Sequence, residues 1–430
     1  MKILSIFFII VSCSIVNAQK VLTIDEAVKI ALKNNYDILV SQNDVNIAKI
    51  NNTAGNAGML PRLEITGSIN AGQENVEQQL SDGTINQNSA LSSTSVNTGA
   101  QLSWTLFDGG KMFVTKNKLN EIQALGEIDY KNKVFQTLND VIVTYYNVVR
   151  QKQQLNSINE SLKYNRERVA IAQAGFNAGS LYKSDLLMAK IDLNVTNENA
   201  IIQQFAIEAA LKSLNYLLGQ QTNTIFEISD TIPLNYSFNK NNLIEKLNSS
   251  NSDILSFQKQ IEIAQLSLKE SKSNYLPKLD VKVGYYLSQS ANSQGSVLNN
   301  FSNGPQVNGT INIPIYSAGE NKRKVSAAKA LVQSSEYELQ NIKLQIETIF
   351  ENTITEFENQ QKMLKIEQEN NELTKENIKI SIERLRLGQT TSLEVRLAQE
   401  DYVQSCTRLI NFQYNLKVAE TKLKQLVSAL

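Results

Sequence analysis

Apolar and polar residues alternate with two different periods along this chain, and the period changes at matching places in its two halves. After Leu60-Pro61 the apolar side is Leu63, Ile65, Gly67, Ile69 and Ala71 and the polar side Glu64, Thr66, Ser68 and Asn70. Val96, Thr98, Ala100, Leu102, Trp104 and Leu106 alternate likewise with Asn97, Gly99, Gln101, Ser103 and Thr105. After Leu276-Pro277, Leu279, Val281, Val283, Tyr285 and Leu287 oppose Asp280, Lys282, Gly284 and Tyr286, and Val307, Ile311, Ile313 and Ile315 oppose Asn308, Thr310, Asn312 and Pro314. Period-two alternation predicts strands over about 62–74, 96–107, 278–289 and 306–316. Each is roughly 10 residues, the length a tilted strand needs to cross a bilayer. The polar connections Gln73–Ser95 and Ser288–Gln306 read as loops, the first, longer one suiting the extracellular end of a barrel.

Elsewhere the period is helical. Thr23-Ile24-Asp25-Glu26 is a capping box opening a short helix that ends near Asn34-Asn35. A second helix is expected to run to about Met59, where Pro61 stops it for want of a backbone donor. Phe135, Leu138, Ile142, Tyr145 and Val149 step by three and four, then Leu155, Leu162, Val169 and Phe176 by seven, the spacing of a left-handed coiled coil with a phase shift between. The second half keeps this ladder at Leu364, Ile378 and Leu385 but interrupts it with Asn371. No proline falls in 111–177 or 321–387, so each helix can extend about 100 Å. Asp108 and Ser317 suit N-caps, and Gly179 and Gly388 suit the left-handed residue that ends a helix. Helical hairpins are thus expected over about 110–218 and 319–428.

The halves are a repeat. Leu60-Pro61-Arg62-Leu63-Glu64-Ile65 returns as Leu276-Pro277-Lys278-Leu279-Asp280-Val281, an offset of 216 (277 − 61) shared by Asp37-Ile38-Leu39 and Asp253-Ile254-Leu255. Phe107-Asp108-Gly109-Gly110 pairs with Tyr316-Ser317-Ala318-Gly319, Gly179 with Gly388, Asp185 with Glu394, Leu214 with Leu423 and Leu217 with Leu426, at an offset of 209 (388 − 179). The expected organisation is a signal peptide over 1–18, a first repeat over 19–219, a linker over 220–240 and a second repeat over 241–430.

Composition narrows the class. Lys2, the apolar run Ile3 to Val11 and Val16-Asn17-Ala18 form a secretory signal, with the mature chain starting near Gln19. The alternative is a lipoprotein box, Ile10-Val11-Ser12-Cys13, with Cys13 acylated. Beyond the signal only Cys406 remains and there is no histidine, which disfavours disulfides, metal centres and acid–base catalysis. No catalytic, cofactor-binding or metal-ligating set is expected. The 42 basic and 42 acidic residues balance, against a nucleic-acid partner. No long apolar run beyond the N-terminus suits a membrane helix, whereas alternating strands suit a barrel.

The expected fold is mainly α with a membrane β-barrel: a trimeric α/β-barrel tunnel with two structural repeats per chain, four barrel strands and long coiled-coil helices. Four strands cannot enclose a passage, whereas three copies supply about twelve. A soluble half-buried sheet gives the same alternation. That alternative would make the protein a periplasmic coiled-coil scaffold or adhesin without transport.

Over nearly its whole mature length the chain resembles the TolC-like outer-membrane efflux proteins. The resemblance rests on Leu22-Thr23-Ile24-Asp25-Glu26-Ala27-Val28, the two Leu-Pro pairs, Phe107-Asp108-Gly109-Gly110, and Leu214 through Leu217-Leu218-Gly219, in that order and in duplicate. It implies a homotrimer in outer-membrane lipid, a periplasmic tunnel, and docking onto a periplasmic adaptor (membrane fusion protein) and an inner-membrane pump that supplies the energy for efflux or type I secretion. Gly179, Ser180, Leu181 and Ser184, with Gly388, Gln389 and Thr390, match the family's adaptor-docking tips. Asp185 and Glu394 match its gate region, although both also suit first-turn carboxylates favoured by the helix dipole. Leu397 stands where a second acid is expected, and Leu385 and Thr390 where the best-known member has the tyrosine and arginine of its closed gate.

Overall fold

The structure, a computed structural model, describes residues 21–295 and 297–430; the expected signal peptide, its cleavage at Gln19 and Cys13 lie outside the described residues. In chain order the elements are β1 (Val21–Leu22), α1 (Ile24–Asn34), α2 (Tyr36–Asn51), β2 (Arg62–Gln79), β3 (Ile85–Asp108), α3 (Lys111–Asn177) and α4 (Lys183–Leu217). There follow β4 (Glu227–Ile228), α5 (Lys240–Ser250), α6 (Ser252–Ser273), β5 (Lys278–Asn292), β6 (Asn299–Asn312), α7 (Glu320–Arg386) and α8 (Ser392–Leu426). They make two units: residues 21–40, 131–251 and 344–430, and residues 41–130 and 252–343.

In the first unit the capping box forms, with Thr23 Oγ1 accepting from the Glu26 amide and Glu26 Oε2 from the Thr23 amide, both at 3.3 Å. Asn35 ends α1 and starts α2, because its Oδ1 accepts the Asp37 and Ile38 amides at 3.0 and 3.2 Å. Its Nδ2 donates to the Leu217 carbonyl at 2.8 Å, closing the end of α4. Asn251 repeats this at the end of α8, donating to the Leu426 carbonyl at 2.8 Å. Between them Val141, Tyr145, Val148 and Val149 of α3 pack on Ala27, Ala31, Leu214, Leu218 and Ile228. Each large side chain so buried contributes about 2 kcal/mol. The Tyr145 hydroxyl donates to the Leu22 carbonyl at 2.8 Å, which fixes β1 beside its parallel partner β4. The helices of the two halves match in length, 67 residues for α3 and α7 and 35 for α4 and α8.

The second unit is built on one antiparallel sheet in the order β2-β3-β5-β6, so β2 and β6 are its edges. Its faces are inverted relative to a soluble sheet. Apolar residues are the more exposed, Leu63, Ile65 and Ile69 at 73–83 % and Val307 and Ile311 at 74 and 68 %. The polar face is the more sheltered along β3 and β5, where Asn97, Gln101, Ser103, Asp280, Tyr286 and Ser288 are half-buried. The sheet therefore curls with its polar side inward.

Several expected boundaries are corrected. The strands at the turn end are longer than their alternation indicates, and the expected loop Gln73–Ser95 is mostly hairpin, reversing only over Leu80–Thr84. Likewise β5 reaches Asn292 and β6 starts at Asn299. Ile313 and Ile315 lie beyond β6, since Pro314 has no amide to continue the ladder. The second helix stops at Asn51, not Met59: the Thr53 hydroxyl accepts the Asn56 amide at 3.2 Å, and Asn56 Nδ2 donates to the Asn51 carbonyl at 2.9 Å, making a turn before Pro61. At the strand-to-helix corner Asp108 accepts the Met112 amide at 3.1 Å, whereas at Ser317 the backbone carbonyl, not the hydroxyl, receives the Glu320 amide. Gly109 sits at φ 72°, and a Cβ there would fall 2.6 Å from the Ser273 carbonyl oxygen, so both conformation and space require glycine.

Candidate functional site: hairpin tips and curled sheet

The two hairpin tips are built alike. Gly179 and Gly388 adopt φ of 75° and 69°. The Ser180 amide reaches the Gly175 carbonyl at 2.9 Å and the Gln389 amide the Arg384 carbonyl at 2.8 Å, the six-to-one bond of a glycine-capped helix. Leu181 folds back onto Gly175, where a Cβ would lie 2.6 Å from its Cδ1, so its apolar mass closes the turn. Gly179, Ser180, Ser184, Gly388 and Gln389 are exposed, and Thr390 is half-exposed.

Asp185 and Glu394 are both the third residue of the returning helix. Asp185 Oδ2 accepts the Tyr182 amide at 3.1 Å. The Glu394 amide donates to Thr391 Oγ1 at 3.2 Å, and its carboxylate accepts the Thr390 hydroxyl. Capping thus occupies both acids locally. Asp185 also lines a cavity of about 130 Å³ with Arg168, Met188, Thr391, Ser392, Leu393 and Arg396, whereas Glu394 is exposed. Leu385 is buried with Ile378, Ile382, Val395 and Tyr402, so the position expected to carry a gate tyrosine is core here. Leu397 is 49 % exposed.

Sequence reasoning missed the charged groups that join these helices. Arg168 of α3 is 2 % exposed. Its Nη1 donates to Asn165 Oδ1 at 3.2 Å and Gln399 Oε1 at 3.3 Å, and its Nη2 to Asp192 Oδ2 at 3.0 Å and Ser392 Oγ at 3.4 Å. Gln399 continues to Ser161 Oγ at 2.7 Å and Asn165 to Thr196 Oγ1 at 2.7 Å. One guanidinium thus ties α3, α4 and α8 together. Asn165, three residues after the ladder position Leu162, was the available signal, since a polar residue there fixes coiled-coil register. A second polar layer lies between α7 and α8. Glu367, 5 % exposed, accepts Ser405 Oγ at 2.6 Å and both Arg408 Nε and Nη2 at 3.0 Å. Asn371, the break in the ladder, donates to Ser405 Oγ at 3.3 Å. Burial raises the Glu367 carboxyl, but the hydrogen bonds from Arg408 and Ser405 outweigh it and hold the group below the usual range.

The curled sheet carries the membrane chemistry. Its outward apolar side offers lipid a continuous surface, and its inward side carries Arg62, Glu64, Gln101, Ser103, Asp280 and Lys282. Thr105 Oγ1 donates to Asp280 Oδ1 at 2.7 Å and Gln101 Nε2 to Glu64 Oε1 at 3.3 Å, so neighbouring strands are stitched on the wet side. Trp104 Nε1 donates to the Met59 carbonyl at 2.9 Å, an indole at the end of the apolar band near which the helices begin.

Comparison with known proteins agrees with this architecture. The sequence profile of the outer membrane efflux protein family matches residues 27–220 and 243–429. A curated relative, the "Proteases secretion protein PrtF" of Dickeya chrysanthemi, is 22 % identical over 329 residues, 74 % of this chain and 68 % of that protein. The Campylobacter jejuni CmeC outer membrane channel superposes with a TM-score of 0.76 at 17 % identity, covering 94 % of this chain and 85 % of that one. Vibrio cholerae VceC gives 0.75 at 15 % identity, covering 94 % and 96 %. These likenesses, with the inverted sheet and paired helical hairpins, place the chain in the outer membrane efflux protein family, as a channel component of the bacterial outer membrane.

Proposed function

We propose that three copies of this chain close a twelve-stranded barrel continuous with a helical periplasmic tunnel, forming the passive exit duct of a tripartite efflux or type I secretion system. The observation that carries this reading is the pair of open edges, β2 and β6, on a sheet whose apolar face points outward. Unpaired backbone groups cannot persist in hydrocarbon, so each β2 must find the β6 of a neighbour. The tips around Gly179, Ser180, Leu181, Ser184, Gly388, Gln389 and Thr390 then meet a periplasmic adaptor, and the adaptor an inner-membrane pump. Asp185 and Glu394 stand at the narrow end, where copies repeated about one axis concentrate negative charge. PrtF, named for protease secretion, supports the secretion version of the duct, and the outer membrane efflux protein family supports the other.

The test is inter-subunit crosslinking. In a Cys406→Ser background, Thr66→Cys on β2 is combined in turn with Asn308→Cys, Thr310→Cys and Asn312→Cys on β6. Oxidation should give a trimer-sized product at one register, from protein that requires detergent. A soluble monomer without crosslinks at any register would establish the scaffold or adhesin reading instead.

A further inference from the structure

Tyr286 is the one aromatic side chain on the polar face of the sheet among the described residues. A side chain of that length on the inner wall of a barrel would ordinarily project into the bore. Here its neighbours are side-chainless. Its register partner on β3 is Gly99, its partner on β6 is Gly304, and Gly284 lies two residues before it on the same face. A Cβ at Gly99 would lie 2.5 Å from Tyr286 Cδ1, and a Cβ at Gly284 would lie 2.8 and 2.9 Å from its Cε2 and Cζ. The ring therefore covers both glycines instead of standing away from the sheet. Its hydroxyl is held at the far end, donating to Gln101 Oε1 at 2.7 Å, and Gln101 is anchored in turn to Ser103 Oγ at 2.9 Å.

Glycine inside a strand weakens it and leaves its backbone uncovered, and an aromatic ring laid across the gap restores the lost contact. Two such glycines under one ring make a seat. We propose that Gly99 and Gly284 hold Tyr286 flat against the lumen wall and so keep its ring out of the bore, making the two glycines determinants of the size of cargo that passes at this level. This rests on the barrel reading, with the polar face as lumen. The seat gives the duct a smooth, half-apolar wall plate rather than a collar of projecting phenols. Filling it with a side chain displaces the ring, because the strand backbones beneath are fixed by the ladder: the Tyr285 and Ala100 carbonyl oxygens already stand 3.0 and 2.9 Å from the two Cβ positions.

The experiment measures passage from outside intact cells. In a Cys406→Ser background, Asn308→Cys places a thiol on the polar face of β6, exposed, and nearer than Tyr286 to the strand ends that join the helices. Reagents are a small methanethiosulfonate and maleimide-polyethylene glycols of graded length. With Tyr286 native, the small reagent should label from outside; no labelling would mean that this face is not a lumen, and the barrel reading and the proposal would fall together. Tyr286→Ala should leave bulky labelling within about twofold, because a ring lying flat occupies little of the bore. A several-fold rise would show that the native ring stands in the passage, and would overturn the proposal. Gly99→Val and Gly284→Val, in variants that still form heat-modifiable trimers, should slow bulky labelling at least about fivefold while sparing the small reagent. Adding Tyr286→Ala to either should restore the rate. Unchanged bulky labelling in both valine variants would equally overturn it, and if neither assembles, the Tyr286→Ala measurement decides alone.

Discussion

Glu367 illustrates how far a single side chain could be anticipated. Asn371 was legible as the break in the α7 ladder, because an amide replaces the apolar residue that the repeat demands. Its partners were not, since Glu367, Ser405 and Arg408 come together only when α8 folds back along α7. Arg168 was hidden for the same reason: the carboxylate that neutralises it, Asp192, and the amide that accepts from it, Gln399, lie on two other helices. These layers have a pH signature. Arg408 and Ser405 hold Glu367 below the ordinary carboxylate value of 4.5, so the pairing stabilises the fold above that pH and is lost as pH falls through the lowered value. Glu367→Gln should cost about 1–2 kcal/mol near neutrality and flatten the loss of stability below about pH 4.5. Denaturant unfolding followed across that range checks both; an unchanged acid profile in the variant would contradict the assignment.

At the scale of elements, starts were easier to read than ends. Prolines and caps mark where a helix or strand begins, as Thr23 and Asp108 do, and among the ends only the glycine-capped ones at Gly179 and Gly388 were as plain. The outer strand ends were illegible because alternation records unlike surroundings on the two faces. Beyond Gln73 serine, asparagine and glutamine occupy both sides, so the period disappears while the backbone ladder continues. Ile313-Pro314-Ile315 is the converse, alternation without a strand. Capping and gating at Glu394 separate at this scale. Glutamine at the third helical position preserves a capping interaction but not the charge. Glu394→Gln trimers in a planar bilayer should therefore keep their assembly while losing cation preference and sensitivity to divalent block. Unchanged selectivity would leave the acid as a cap alone.

Across the whole chain, duplication was the most legible property, because helices of 67 and 35 residues recur at one offset in both halves. What separates the halves is the height of their hairpins. β3 has 24 residues and β6 has 14, contours of about 80 and 45 Å against a hydrocarbon layer of about 30 Å. In the proposed barrel the β2–β3 hairpin stands well clear of the lipid, open to any protease added to the medium. Yet no lysine or arginine occurs between Arg62 and Lys111, or between Lys282 and Lys322. Trypsin applied to intact cells should leave the chain whole. An aspartate-directed protease should instead cut it once, at the Ser81–Asp82 bond in the turn, as judged by fragment sizes on a denaturing gel; tryptic cleavage within either hairpin of unbroken cells would refute the arrangement. The part of the chain that this arrangement leaves outside the cell is thus also a part that offers trypsin no site.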